Sequence, residues 1–233
     1  MKKKDDIIVI GVIPARLASS RFPNKLIKKI HNKLTVLEHV WKRAQYIENL
    51  NYKFIAYQDI NIKKLFYKNI NSLISTSSNH KNGTSRVIES LSNKTFDYAL
   101  LIQGDEPLLI DKEVSKFINV AKASKKTNIV WNSVTKIKNN IELKDSSIVK
   151  CKLDKINNII DCKRNVTKEE NYKYKLQGLM IFDKKFVENY KNIKKYKRTQ
   201  KESIEQLDFL LNKINFKAFT SVYDYPSINY PKD

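Results

Sequence analysis

Apolar positions come in two rhythms along this chain. Short β-branched runs, Ile7 to Ile13, Lys53 to Tyr57, Ser72 to Thr76 and Tyr98 to Gln103, are bounded by charge or by Pro and Gly, as buried parallel strands are. Between them the period changes. Leu34, Leu37, Val40, Trp41, Ala44 and Ile47 keep helical spacing, with Thr35 as N-cap and Glu38 as its capping-box partner, so a helix is predicted over Leu34 to Ile47. Ile60 to Lys68, Thr84 to Ser92 and Asp111 to Ser124 read as three further helices, and Asn128 to Thr135 as the next strand. Alternation of this kind predicts a doubly wound α/β sheet whose ligand lies outside the carboxyl ends of the strands.

The second half is less regular. Ser147 to Leu153 and Asn158 to Asp161 are short β-like runs that suggest an antiparallel excursion. Leu179 to Phe182 reads as a strand, Lys184 to Lys191 as a helix, Ser203 to Leu211 as a helix with Ile204, Leu207 and Leu211 on one face, and Phe216 to Val222 as a closing strand. No internal repeat or linker divides the sequence, so the 233 residues are expected to form one domain.

Charge changes the picture only in part. The formal net charge is +21, carried by 45 Lys and Arg against 24 Asp and Glu, which by itself points to polyanions such as nucleic acid. The lysines, however, are spread along the whole chain and form no confined stripe, so drifted composition is a second reading of the same number. No apolar run approaches the roughly 20 residues of a membrane span, and no secretory signal pattern follows Lys2 to Lys4. Cys151 and Cys162 lack metal-ligand spacing and the surrounding segment lacks His, which leaves a reducing cytoplasm as the expected compartment.

The scarce residue types are more informative. Nine of the fifteen Arg, Pro and Gly residues fall in three blocks: Gly11 to Lys25 (GVIPARLASSRFPNK), Gly83 to Arg86 (GTSR) and Gln103 to Pro107 (QGDEP). Arg16, Arg21 and Lys25 lie between the first strand and the first helix, where three cations suit a triphosphate and a Ser19-Ser20 turn offers backbone amides. Neither the P-loop nor the dinucleotide glycine pattern is present. QGDEP ends an apolar strand with Asp105 and Glu106. Adjacent carboxylates diverge in extended chain, so Asp105 is the candidate ligand for a hard divalent cation and Glu106 is read as structural. Gly83-Thr84 stands at a helix start, which suits an anion or a polar base edge, or else is a plain N-cap with Arg86 pairing a surface acid. Glu202 and Glu205 are expected on one helix face, suited to polyol hydroxyls, and Arg164 is a candidate carboxylate clamp.

Taken together and in this order, the motifs resemble those of the sugar-acid cytidylyltransferases, in particular the 3-deoxy-manno-octulosonate (Kdo) cytidylyltransferase family. IPARLASSRFPNKLI resembles that family's IPAR-x-x-S-x-R-x-P-x-K-x-L, HKNGTSR its H-x-x-G-T-x-R, IQGDEPLL its QGDEP and ESIEQL its E-x-I-E-x-L. The resemblance implies a Rossmann-like nucleotidyltransferase fold, a mostly parallel sheet flanked by helices with a small antiparallel β excursion. It also implies CTP and a sugar acid as substrates, Mg2+ as cofactor, and a homodimer held partly by the excursion near Ser147 to Arg164. Carried onto this sequence, Ala15, Arg16, Arg21, Lys25 and Gly83 bind the nucleotide, with Arg21, Lys25 and Asp105 as catalytic groups. Gln103, Arg164, Glu202 and Glu205 line the acid pocket.

Two departures stand out. The family's late G-V-D-T-P-E-D-L reads here Ser227-Ile228-Asn229-Tyr230-Pro231-Lys232-Asp233, so the second metal position is the neutral Asn229. The R-H-L-G-I-Y stretch that meets the acid reads Lys175-Leu176-Gln177-Gly178-Leu179-Met180, without His or Tyr. The rival expectations are a basic nucleic-acid-binding protein and a relative that binds nucleotide without turnover. The favoured one has neither a specific nucleic-acid partner nor membrane insertion.

Overall fold

The structure, a computed structural model, describes residues 7–18, 21–166 and 172–233. The chain forms two compact units: one comprises the chain up to Lys122 together with Tyr225–Asp233, the other Ala123–Asp224.

The first unit alternates strand and helix as its sequence predicts. Its elements are β1 (Val9–Ala15), α1 (Val36–Ala44), β2 (Tyr52–Tyr57), α2 (Ile60–Leu65), β3 (Leu73–Ser75), α3 (Gly83–Ser90), β4 (Tyr98–Ile102) and α4 (Asp111–Lys122). All seven residues of β1 are buried, consistent with a strand covered on both faces. The strands are parallel, in the order β3-β2-β1-β4. Order therefore reverses between β1 and β4, which puts a ligand crevice beyond the carboxyl ends of those two strands.

Helix α1 forms where its pattern says. Thr35 Oγ1 accepts from the Glu38 amide at 3.2 Å, and the Glu38 carboxylate accepts from the Thr35 amide at 2.7 Å, a complete capping box. Its face of Val36, Leu37, Val40, Trp41 and Ala44 is buried, and the larger of those side chains stabilise the fold by about 1.5 to 3 kcal/mol each. Gly104, just after β4, sits in close quarters: a Cβ there would lie 3.3 Å from Leu37 Cδ1 and 3.4 Å from Ile13 Cγ2.

In the second unit, β5 (Ile129–Lys136) pairs antiparallel with β8 (Tyr174–Asp183) and parallel with β9 (Asn215–Thr220). The expected excursion is an antiparallel hairpin of β6 (Lys150–Leu153) and β7 (Ile159–Lys163), with β6 also paired to β8. Short helices α5 (Asn140–Lys144), α6 (Lys184–Asn189), α7 (Lys197–Glu202) and α8 (Gln206–Leu211) complete it. Helix α5 was not expected, and α7 falls where Glu202 was read as part of one helix with Glu205. Cys151 and Cys162 are opposite partners in the hairpin, both free and fully buried, and burial pushes both thiols up.

The expected helix from Ser203 to Leu211 is corrected. Ser203 has φ 52° and ψ 44°, a left-handed conformation that ends α7, and α8 begins only at Gln206. Glu202 and Glu205 thus do not share a helix face.

Lys175 on β8 anchors this unit with a mostly buried ion network, donating to Glu142 at 2.9 Å and to Asp224 at 2.8 Å. Burial pushes the Asp224 carboxyl up, but the hydrogen bonds and charges of Lys175 and Lys138 outweigh it and hold the group below its usual range. A depressed carboxylate pKa adds stability that is present above the unfolded-state value and lost as pH falls through the folded value. Asp224→Asn is expected to lower unfolding free energy by about 2 kcal/mol at pH 7. The gap from wild type should begin to narrow only below about pH 4 and close as pH falls through the depressed folded value. Denaturant midpoints at both pH values check this, and equal midpoints at pH 7 contradict it.

Candidate active site

The reversal of strand order between β1 and β4 makes the loops that follow them the place to look. The loop after β1 leaves the sheet with Arg16 exposed and is anchored by the buried Leu17 and Leu26. The Asn24 amide donates to the Leu17 carbonyl at 3.2 Å. With φ 58°, Asn24 turns the chain into the short Lys25–Ile27 helical turn. Ser19 and Ser20 lie outside the described residues.

Lys25 is the centre of this loop. Its ammonium donates to the Asp105 carboxylate in the loop after β4 and, at 2.8 Å, to the Ile228 carbonyl in the C-terminal segment. Both side chains of the ion pair are mostly buried, 14% and 19% exposed. The Ile228 amide in turn donates to the Asp105 carbonyl at 2.9 Å, which fixes the C-terminal segment against the same loop.

Arg21 donates to Asn229 Oδ1 at 3.2 Å, and its guanidinium carbon lies 5.8 Å from the Tyr230 ring centroid. Asp233 accepts from the Asn229 and Tyr230 amides at 2.8 and 2.9 Å, closing the turn that presents Asn229. Arg21, Lys25, Asp105 and Asn229 are thereby gathered around one segment.

Glu106 is buried and accepts from Ser227 Oγ at 2.9 Å, so the two adjacent carboxylates diverge, one to Lys25 and one into the protein. Among the described residues no group of three or more His, Cys, Asp or Glu could hold a metal. Asp105 and Asn229 carry oxygen donors of the kind magnesium takes alongside phosphate oxygens and water, and here each faces a cation, Lys25 or Arg21.

The third block lies beside the first. Gly83 opens α3 against β1, where a Cβ would come within 3.2 Å of Pro14 Cγ. Asn82 caps the helix by accepting from the Ser85 amide at 2.8 Å. Arg86 does not pair a surface acid. It is 1% exposed and donates to Thr76 Oγ1 at 2.5 Å and to Gln58 Oε1 at 2.7 Å. Burial lowers its pKa and the neighbouring Arg16 pushes the same way, outweighing the opposing charge of Glu89.

His80 meets the Glu89 carboxylate through Nε2 and Ser85 Oγ through Nδ1 at 3.0 Å, tying the preceding loop onto α3. Reading the sequence missed Gln58, Thr76 and the Ile228 carbonyl as neighbours of the site. Their one signal is position: Gln58 follows a predicted strand, Thr76 ends one, and Ile228 comes shortly after a late Pro.

Of the remaining candidates, Gln103 adjoins this group in sequence and Arg164, Glu202 and Glu205 lie apart from it. Gln103 follows β4 directly, its carbonyl accepting from the Glu106 amide at 3.4 Å. Within the second unit, Arg164 donates through Nε to the Glu202 carbonyl at 3.0 Å and through Nη2 to the Ser203 carbonyl at 3.0 Å. Its Nη1 reaches the Ser147 carbonyl at 2.9 Å and the Ser146 carbonyl at 3.2 Å. The buried Lys150 ammonium caps the Arg164 carbonyl at 2.6 Å. Arg164 and Glu202 are therefore joined through backbone, and Glu205 stands at the start of α8.

The profile of the cytidylyltransferase family matches residues 10–220. The Kdo cytidylyltransferase of Fusobacterium nucleatum is 32% identical, over 92% of this chain and 89% of that protein. An 8-amino-3,8-dideoxy-manno-octulosonate cytidylyltransferase of Shewanella pealeana is 26% identical, over 95% of this chain and 94% of that protein. In three dimensions the chain resembles a CMP:2-keto-3-deoxy-manno-octonic acid synthetase solved with CTP, with TM-score 0.87 and 24% identity, over 97% and 94% of the two chains. At that identity the likeness speaks for the fold. The family match and these relatives make the chain a nucleotidyltransferase. The chain belongs to the cytidylyltransferase family.

Four backbone carbonyls on one guanidinium make Arg164 a joint of its unit. Arg164→Lys, which loses the planar fork, is expected to lower stability by about 2 kcal/mol. Thermal unfolding checks this, and an unchanged midpoint contradicts it.

Proposed function

We propose that this protein transfers the cytidylyl group of CTP to a Kdo-like ulosonic acid, giving a CMP-sugar and pyrophosphate. The observation that carries the reading is the Lys25–Asp105 pair, which joins the loops after β1 and β4, with Arg21 held on the C-terminal segment that Lys25 also meets. The names of the relatives support the acceptor class: one acts on Kdo, the other on its 8-amino counterpart.

In this reading Ala15, Arg16, Arg21, Lys25 and Gly83 hold the nucleotide. The anomeric hydroxyl of the acid attacks the α-phosphorus, its oxygen forms the new P–O bond, its proton leaves to solvent, and the bond to the β-phosphate breaks. Charge grows on phosphoryl oxygens. Arg21 and Lys25 neutralise it without covalent chemistry, so positioning and electrostatics supply the catalysis. Asp105 and Asn229 would hold magnesium, which when bound offsets part of the same charge. Lys25 then exchanges its Asp105 contact for phosphate.

Gln103, Glu202 and Glu205 are proposed to meet the acid's polar groups. Arg164 contributes by holding the Glu202–Ser203 turn. Gln177, which stands in the altered R-H-L-G-I-Y stretch, is engaged with Ser133 Oγ at 2.5 Å and the Tyr223 carbonyl at 2.8 Å. This chain thus departs from its relatives in the side chains it offers an acceptor there.

A second reading, nucleotide binding without turnover, is favoured by Asn229 alone. Pyrophosphate release from CTP with magnesium and a panel of ulosonic acids separates the two. Turnover is expected with at least one acid, and none with any acid contradicts the proposal. Arg21→Ala should lower kcat by about 10²- to 10³-fold. Asp105→Asn should lower turnover with only partial rescue by excess magnesium. Wild-type rates in either variant remove that residue from the site.

We further propose a homodimer through the 147–164 hairpin region, where Ile156 and Ile160 are 64% and 54% exposed. Sedimentation should give a dimer that Ile156→Lys with Ile160→Lys converts to monomer. A wild-type monomer contradicts this.

A further inference from the structure

Beyond the three sequence blocks, the register of the first unit builds a second row of side chains. Ala15, Tyr57 and Ser75 are lateral partners at the ends of β1, β2 and β3. The residues that follow them, Arg16, Gln58 and Thr76, therefore stand side by side just past the sheet, on the ligand side of a doubly wound fold.

Thr76 is fully engaged: its amide and its hydroxyl both donate to the Tyr57 carbonyl, at 2.8 and 2.9 Å, and its hydroxyl oxygen accepts from Arg86. Gln58 is engaged on one side only. Arg86 is a donor with no acceptor, so the Gln58 oxygen must face it, and the 2.7 Å bond fixes the amide against flipping. The Gln58 Nε2 group, with its two hydrogens, is left pointing away from Arg86 and has no hydrogen-bond partner among the described residues.

Arg16, next in the row, is exposed and makes no hydrogen bond or ion pair among the described residues. Arg86 is buried with neutral partners, close enough to Arg16 for the two like charges to oppose each other. A row that offers an N–H donor beside two neighbouring guanidiniums, of which Arg86 meets only the opposing charge of Glu89, calls for an oxygen acceptor on an anionic ligand.

We propose that Gln58 is a further nucleotide-recognition residue, its amide N–H donating to an acceptor oxygen of CTP, and that Arg86 is the positioning residue that fixes its orientation. This rests on the nucleotide reading above and adds two residues to it. The acceptor oxygen belongs either to a phosphate or to the cytidine moiety, and the two sources are separable by ligand.

Binding is measured by calorimetry without acceptor, using CTP, cytidine and pyrophosphate on the wild type, Gln58→Met, Arg86→Lys and the double variant, with thermal unfolding of each. Gln58→Met keeps the side-chain length and removes the donor. It is expected to weaken CTP about five- to tenfold, the range of one lost hydrogen bond. Loss on pyrophosphate with cytidine unchanged assigns a phosphate oxygen, and loss on cytidine assigns the base or sugar. Arg86→Lys should weaken CTP by a similar factor, and the double variant should be no weaker than the weaker single, because the two residues act as a unit.

Gln58→Met that binds all three ligands as the wild type does, while wild type binds CTP, overturns the proposal and leaves the function standing. Losses that multiply in the double variant overturn the positioning role of Arg86. A folded wild type that binds none of the three overturns the nucleotide reading and this inference with it.

Discussion

The Lys25 ammonium is the constraint around which the first unit is arranged. Strand order sends the chain out of the sheet on either side of the β1/β4 reversal, and two loops with opposite charge emerge next to each other. One side chain then ties the loop after β1, the loop after β4 and the C-terminal segment through Asp105 and Ile228. At an effective dielectric near 20, a contact of this kind is worth about 4 kcal/mol of Coulomb energy. Desolvation of two mostly buried groups offsets much of that. The pair is thus strong enough to organise the loops and weak enough, net, to be exchanged for a more highly charged partner.

The same logic sorts the cations. Most of the 45 Lys and Arg lie scattered along a drifted sequence, and exposed ion pairs among them contribute at most about 1 kcal/mol each. Those that shape the protein are held by geometry. Lys25 faces two acceptors, Arg86 is buried between the ends of two strands, Arg164 gathers four carbonyls and Lys175 joins two carboxylates. Burial makes each of these contacts stronger and each broken contact costlier than any surface pair.

Legibility in the sequence follows the range of the interaction. The capping box at Thr35 and Glu38 is local chemistry and is found where its pattern lies, and the apolar strand runs are found within a few residues of their predicted bounds. The three Arg, Pro and Gly blocks marked the loops that the parallel sheet brings together. Long-range bonds were invisible. ESIEQL has helical spacing, yet Arg164 holds the Glu202 and Ser203 carbonyls and the chain breaks at Ser203. Arg86 lies on α3 three residues before Glu89, yet strand register delivers Gln58 and Thr76 as its hydrogen-bond partners.

Position and charge at the strand reversal are joined in one physical claim: Lys25 is the counter-ion of Asp105 until nucleotide arrives. A crystal structure of the CTP complex tests this most directly. Lys25 Nζ should be found on a phosphate oxygen, with Asp105 released from it. CTP bound with the Lys25–Asp105 contact intact, and no ammonium on the phosphates, would contradict it.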